Sequence, residues 1–195
     1  LTLAVAVSAV LPVFAVYPMP IQTATETEAV YLFNADTGKT LLTQNADQPR
    51  YVAGLTKMMT ALLLLESGKD LNGEVTVPTD LTQEFKDIQN ANGTTMGLRI
   101  GETVRRIDLL NALLITSAND AASVIAWDVG GSLNAFIQQM NARAAELGCT
   151  SATFTCAHGL YDYGNVASAE DMAKIAAACA ANETFAQVAG STTYT

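Results

Sequence analysis

At 195 residues and 50% hydrophobic, the chain is long enough to bury one sizeable core, or one core with a satellite subdomain. Charged residues make up only 15%, which excludes a disordered polyelectrolyte. The formal charge of −9 excludes a nucleic-acid partner, because phosphate binding needs a basic surface.

Residues 1–15 are apolar, uncharged and end in the small-x-small pattern Val13-Phe14-Ala15. They read as the apolar part of a secretory signal peptide whose start methionine and basic segment lie outside the sequence, and they are too short for a comfortable membrane span. A buried N-terminal strand or helix is the alternative. Residues 16–28 read as a linker. Next, 29–33 and 40–43 flank Asp36-Thr37-Gly38-Lys39, a strand–turn–strand signal with Gly38 free to take positive φ. The first strand is apolar on both faces, which predicts a sheet covered by helices on two sides. Residues 55–67 predict a helix apolar almost all round, hence buried, with Thr56, Lys57 and Thr60 gathered at its N-terminal end and Gly68 stopping it.

Residues 74–77 predict a short strand, and 86–103 a loop with short strands. Helices follow over 106–116, 120–129 and 133–147, the last capped by Ser132 and ended by Gly148. Ser168-Ala169-Glu170-Asp171 starts another helix, reaching about residue 181, and 188–195 is read as the possible start of a strand. A two-stranded hairpin is marginal alone, so further strands are expected beyond Thr195. Of the three cysteines, Cys149 and Cys156 flank a short segment and could bridge in an oxidising compartment, whereas Cys179 reads as a small buried apolar residue. With one histidine and no Cys-x-x-Cys pair, we read no zinc site and no cofactor.

The chemistry gathers at Lys57. An ammonium buried without partners costs several kcal/mol, and lysines held that way have lowered pKa values and serve as bases. The position three residues earlier lies on the same helix face, one turn back. A hydroxyl there would stand beside the amine at a helix N-terminus whose dipole favours a developing anion, which is the logic of a serine nucleophile in an S-x-x-K motif. That position is Gly54. Glycine is tolerated at an N-cap, so the fold survives and the nucleophile is lost. Thr56 is rotated away from the Lys57 face and does not replace it. The plain alternative for Lys57 is a lysine that snorkels to solvent. Ser117-Ala118-Asn119 sits at a helix–helix junction, where such residues are usually caps. The functional alternative has Ser117 relaying a proton to a leaving amine and Asn119 holding a substrate amide.

Taken in order, several blocks resemble the low-molecular-mass penicillin-binding proteins, the serine-type D-alanyl-D-alanine carboxypeptidases of peptidase family S11. They are Asp36-Thr37-Gly38, Leu55-Thr56-Lys57-Met58-Met59-Thr60, Gly101-Glu102-Thr103-Val104, Leu109-Leu110-Asn111-Ala112-Leu113-Leu114, Ser117-Ala118-Asn119-Asp120, His158-Gly159-Leu160 and Asp171-Met172-Ala173. The resemblance implies an α/β (α+β) fold, a three-layer α-β-α sandwich with an antiparallel sheet. An all-helical subdomain lies beside it, placed at about residues 80–165, within a DD-peptidase-like domain over 29–195. It also implies an acyl-enzyme peptidase acting on peptidoglycan stem peptides ending in D-Ala-D-Ala and acylated by β-lactams, at the extracytoplasmic face of the cell membrane, in the cell wall or in the periplasm. Carried over by position, Gly54 stands in the nucleophile's place, Lys57 matches the general base, and Ser117 and Asn119 match the second motif. His158 matches a loop position with a structural role. The K-T-G motif of a later strand is not among these residues, nor is the C-terminal segment through which many relatives meet the membrane. An inactive relative that binds stem peptides or β-lactams is the alternative function; the blocks disfavour a β-lactamase and do not separate carboxypeptidase from endopeptidase.

Overall fold

Helix α1 (Thr56–Glu66) is the element around which the others pack. Its Met59, Ala61, Leu62 and Leu64 are at most 2% exposed, so the absence of a polar face does mark a buried helix. The computed structural model describes residues 27–160 and 162–194. The leader expected over 1–15, and the linker over 16–28 as far as residue 26, lie outside the described residues.

Around α1 stand α3 (Arg106–Ile115), α4 (Asn119–Gly130), α5 (Leu133–Glu146), α6 (Ala169–Ala180) and α7 (Glu183–Ala189). Helix α4 buries Ala121, Ala122, Val124, Ile125 and Ala126 completely, and its small side chains let it approach α1, α3 and α5 closely. In α5 the buried Phe136, Met140 and Ala144 recur every four residues, the stripe of an amphipathic helix. Its start is capped as the sequence predicts, with the Ala135 N–H donating to Ser132 Oγ at 3.1 Å. Ser168 caps α6 in the same way, accepting from the Asp171 N–H at 3.1 Å.

Strands appear as antiparallel pairs. β1 (Val30–Phe33) pairs with β2 (Thr40–Gln44) through the predicted turn, where Gly38 takes φ +68°. β4 (Glu74–Thr76) pairs with β5 (Thr103–Arg105), and β3 (Arg50–Tyr51) pairs with β6 (Val166–Ala167). Helix α6 packs on β1. The mixed α/β class with antiparallel strands is as expected.

Several local expectations are corrected. The loop predicted over 86–103 begins as helix: α2 (Thr82–Asn90) has only Phe85 and Ile88 as apolar residues, and Ile88 is buried. The glycines and asparagines after it hid that short face. Val188 and Ala189 belong to α7 rather than to a strand, with Asn182 capping the helix at the Phe185 N–H. The β3–β6 pair was not anticipated, because each strand is two residues long. Strand β1 is half-buried rather than covered throughout, and Leu32 is 37% exposed. Cys149 and Cys156 are free thiols, and Cys179 is buried as expected.

Candidate active site

The three polar residues at the start of α1 act together, each holding the segment that runs from Ala157 to Asn165. Thr60 Oγ1 donates to the Ala157 carbonyl at 2.6 Å, Lys57 Nζ donates to the His158 carbonyl at 2.6 Å, and Thr56 Oγ1 accepts from Asn165 Nδ2 at 2.8 Å. All three are buried. This is why an otherwise apolar helix carries them. Thr56 is therefore committed to Asn165.

Lys57 is 4% exposed, so it does not snorkel. Its second partner is Asn119 Oδ1, at 2.8 Å. Burial brings its pKa down from 10.5 to about 8, against a smaller opposing effect of Cys156. An amine with that pKa is a competent base near neutral pH.

Gly54 lies in a tight 3-10 turn, Ala53–Leu55, that runs straight into α1, so it is an interior turn residue rather than the expected N-cap. A Cβ added there would meet only Ser117 Oγ within 4 Å, at 3.5 Å, and the backbone is free of left-handed strain. A serine side chain fits this space. Its neighbour Ala53 is held at φ +43°, and Ser117 across the gap at φ +57°. Such conformations cost about 1–3 kcal/mol each in a non-glycine residue, and both flank position 54. The close approach of Gly159 to the Ala53 carbonyl fixes the other side: a Cβ on Gly159, at φ +78°, would collide with Ala53 O.

Ser117 and Asn119 are not side-chain caps. The N-cap of α4 is Ala118, with no side-chain hydrogen bond. Asn119 is buried, with Oδ1 on Lys57 and Nδ2 donating to the Thr94 carbonyl at 2.9 Å. Ser117 is exposed beside position 54. Asp120, part of the matching block but given no role of its own there, is buried and accepts the N–H groups of Met96, Gly97 and Leu98, each at 3.0 Å. It shapes the 94–98 loop whose Thr94 carbonyl holds Asn119. Its place directly after Asn119 in the first turn of α4 was the available signal. His158 contributes its backbone carbonyl to Lys57, while its ring pairs with Glu84 at 3.0 Å.

A cleft of about 100 Å³ lies beside the turn, lined by Tyr51, Ala53, Gly159 and Asn165 among others. A larger cavity of about 380 Å³ is lined by His158 but by none of Gly54, Lys57 and Ser117. The smaller cleft includes Ala53, the neighbour of Gly54, but likewise none of those three residues.

A base lysine one turn from a nucleophile position, faced by a serine from a helix junction, is the frame of the penicillin-interacting serine peptidases. Residues 17–194 match the peptidase family described as D-alanyl-D-alanine carboxypeptidase, and the chain belongs to that family. It is 32% identical over 153 residues to D-alanyl-D-alanine carboxypeptidase DacF of Bacillus subtilis, covering 78% of this chain and 39% of that protein. It is also 32% identical over 175 residues to a D-alanyl-D-alanine endopeptidase of Pseudomonas aeruginosa, covering 90% of this chain and 54% of that one. The crystal structure of a Streptomyces DD-transpeptidase superposes with a TM-score of 0.74 at 31% identity, over 81% of this chain and 62% of that one. The chain thus spans about two fifths to three fifths of these relatives.

Proposed function

We propose that the protein carries the acyl-transfer site of a D-Ala-D-Ala carboxypeptidase, and that Gly54 leaves this chain able to hold the ligand but not to form the acyl bond. The observation that carries the reading is the buried Lys57, with its pKa of about 8, next to an unobstructed Cβ position 3.5 Å from Ser117 Oγ. With an oxygen at position 54, neutral Lys57 takes its proton as the oxygen attacks the carbonyl of the penultimate D-alanine. Ser117 passes a proton to the departing D-alanine amine, and water later releases the acyl group. Asn119, engaged by Lys57 and Thr94, positions the lysine, and it holds a substrate amide only with what its carboxamide has left. The ligand class is a peptidoglycan stem peptide ending in D-Ala-D-Ala, or a β-lactam that mimics it.

Such ligands lie outside the cytoplasmic membrane, so the protein works at its extracytoplasmic side. Among the described residues, no helix is long and apolar enough to cross a membrane. A labelled penicillin tests the proposal. The native protein forms no covalent adduct, because loss of a nucleophile costs on the order of a million-fold in rate. Gly54→Ser, placed in the full-length protein, becomes labelled. A labelled native chain, or a folded Gly54→Ser protein that stays unlabelled, overturns it. The second reading, a stem-peptide-binding relative without catalysis, is favoured by Gly54 itself.

A further inference from the structure

Glu84 stands outside the frame described above, yet it is bonded to both elements that hold the base lysine. It comes from α2, the helix that a mostly polar sequence conceals. Its Oε1 faces His158 Nε2 at 3.0 Å and accepts the Ser123 hydroxyl at 2.9 Å. His158 gives its backbone carbonyl to Lys57 Nζ. Ser123 lies one turn beyond Asn119 on α4, and Asn119 Oδ1 is the other acceptor of that amine. One carboxylate oxygen from α2 therefore ties together the 157–165 segment and α4, the two elements that supply acceptors to Lys57.

The bonds of the imidazole make this tie firm. Nδ1 accepts the Leu160 N–H at 3.0 Å, which requires a lone pair there and leaves the ring proton on Nε2, towards Glu84. Both ring nitrogens are engaged, so the ring cannot turn without breaking a hydrogen bond. Ser123 is fully buried. Its hydroxyl also lies 3.3 Å from the Asn119 carbonyl, but it has one proton, and the nearer, charged oxygen takes it. The hydrogen bond from His158, foremost, holds the Glu84 carboxyl below its ordinary pKa against the opposing effect of burial, so the group is ionised and only accepts. Two other carboxylates line the same cavity and have partners elsewhere: Asp87 accepts Gln83 Nε2, and Asp162 accepts the Gly164 N–H.

We propose that Glu84 is a positioning residue of this active site: through the His158 ring and the Ser123 hydroxyl it fixes the two acceptors of the Lys57 ammonium, and with them the place of the base. The proposal rests on the reading of Lys57 as the base given above. Glu84 takes no proton in the reaction and acts only through these two residues. A reacting group displaced by about 1 Å loses on the order of a hundredfold in rate, so acceptors that are themselves held have kinetic value.

The tie also keeps water from the amine. Burial is the main cause of the lowered Lys57 pKa, and the 157–165 segment over Lys57 is held from α1 by Thr56, Lys57 and Thr60 and from α2 by Glu84. Glu84→Ala leaves the His158 Nε2–H and the Ser123 hydroxyl without their shared acceptor and frees the His158 carbonyl to move off Lys57. Water then reaches the ammonium, and its titration midpoint climbs from about 8 towards the ordinary 10.5. Glu84→Gln keeps an oxygen for both donors, so the hold persists without the charge. The titratable groups around the tie are Asp87, Cys156, His158 and Asp162; Cys156 acts on Lys57 by charge and is the same in every variant. A residue that only stabilised α2 would change the unfolding midpoint and leave the Lys57 titration where it is.

The test reads the Lys57 titration by NMR of the lysine side chains in the native protein, its signal assigned by its absence in Lys57→Met. Glu84→Ala is expected to raise the midpoint from about 8 by about one pH unit, tenfold in the protonation equilibrium, and Glu84→Gln to return most of that rise. In Gly54→Ser, adding Glu84→Ala should slow penicillin acylation about tenfold at about pH 7, and adding Glu84→Gln should slow it less than about threefold. A midpoint that stays at about 8 in folded Glu84→Ala overturns the proposal, as does a Glu84→Gln midpoint no different from that of Glu84→Ala. Should Glu84→Ala not fold, Ser123→Ala decides: it removes one of the two donors and should raise the midpoint about half as far, and no rise overturns the proposal. The titration needs no acylation, so a Gly54→Ser protein that never labels counts against the function proposed above and not against the hold of Glu84 on Lys57.

Discussion

Titration of Lys57 tests the buried frame most directly. Burial lowers its pKa from 10.5 to about 8, while the unfolded chain keeps the ordinary value. Below 8 both states carry the proton; between about 8 and 10.5 the unfolded chain binds one proton more, so stability rises with pH across that window. At ~1.4 kcal/mol per pKa unit the whole shift integrates to about 3 kcal/mol, of which roughly 2 kcal/mol falls between about pH 7 and pH 10. Lys57→Met keeps the apolar stem and removes the titration. It leaves Asn119 Oδ1 and the His158 carbonyl without their ammonium donor, a cost that does not vary with pH. Urea unfolding of both proteins at about pH 7, 8.5 and 10 gives the difference in stability, native minus variant, free of the groups they share. That difference should grow by roughly 2 kcal/mol across the series. A constant difference would refute a desolvated ammonium at this position. A falling difference would mean that folding strengthens the charge rather than stripping its water.

The same amine sets a kinetic expectation: in Gly54→Ser, penicillin acylation should rise about tenfold from about pH 7 to pH 9 and then flatten, as Lys57 loses its proton near 8. Stopped-flow labelling across that range measures it. Asp120→Ala removes the acceptor of the Met96, Gly97 and Leu98 N–H groups and should cost about 3 kcal/mol; hydrogen exchange at those amides should accelerate. Gly159→Ala should cost about 3 kcal/mol or more, through backbone strain at φ +78° and collision with the Ala53 carbonyl, read as a lowered unfolding midpoint. Phe136→Ala, emptying a fully buried position, should cost about 3–5 kcal/mol in denaturant unfolding.

What was legible in the sequence follows from local periodicity. The buried helix α1, the stripe of Phe136, Met140 and Ala144, the caps Ser132 and Ser168 and the Gly38 turn each depend on neighbours within a few residues. Helix α2 escaped because two apolar residues in a polar nonamer make a weak stripe, and the two-residue strands β3 and β6 have no period at all. Within the site, the spacing of Gly54 and Lys57 and the Ser117-Ala118-Asn119 block were readable as a frame, since a helical turn places position 54 beside the lysine.

Residue order alone was enough to establish that a lysine enters a greasy helix one turn after a missing hydroxyl. Whether that lysine reaches water or is buried depended on the packing of the helices. Its acceptors, Asn119 Oδ1 and the His158 carbonyl, stand 62 and 101 positions further along the chain. Partners so distant leave no mark on local pattern; they meet Lys57 because the helices pack, and packing is what strips the ammonium of its water.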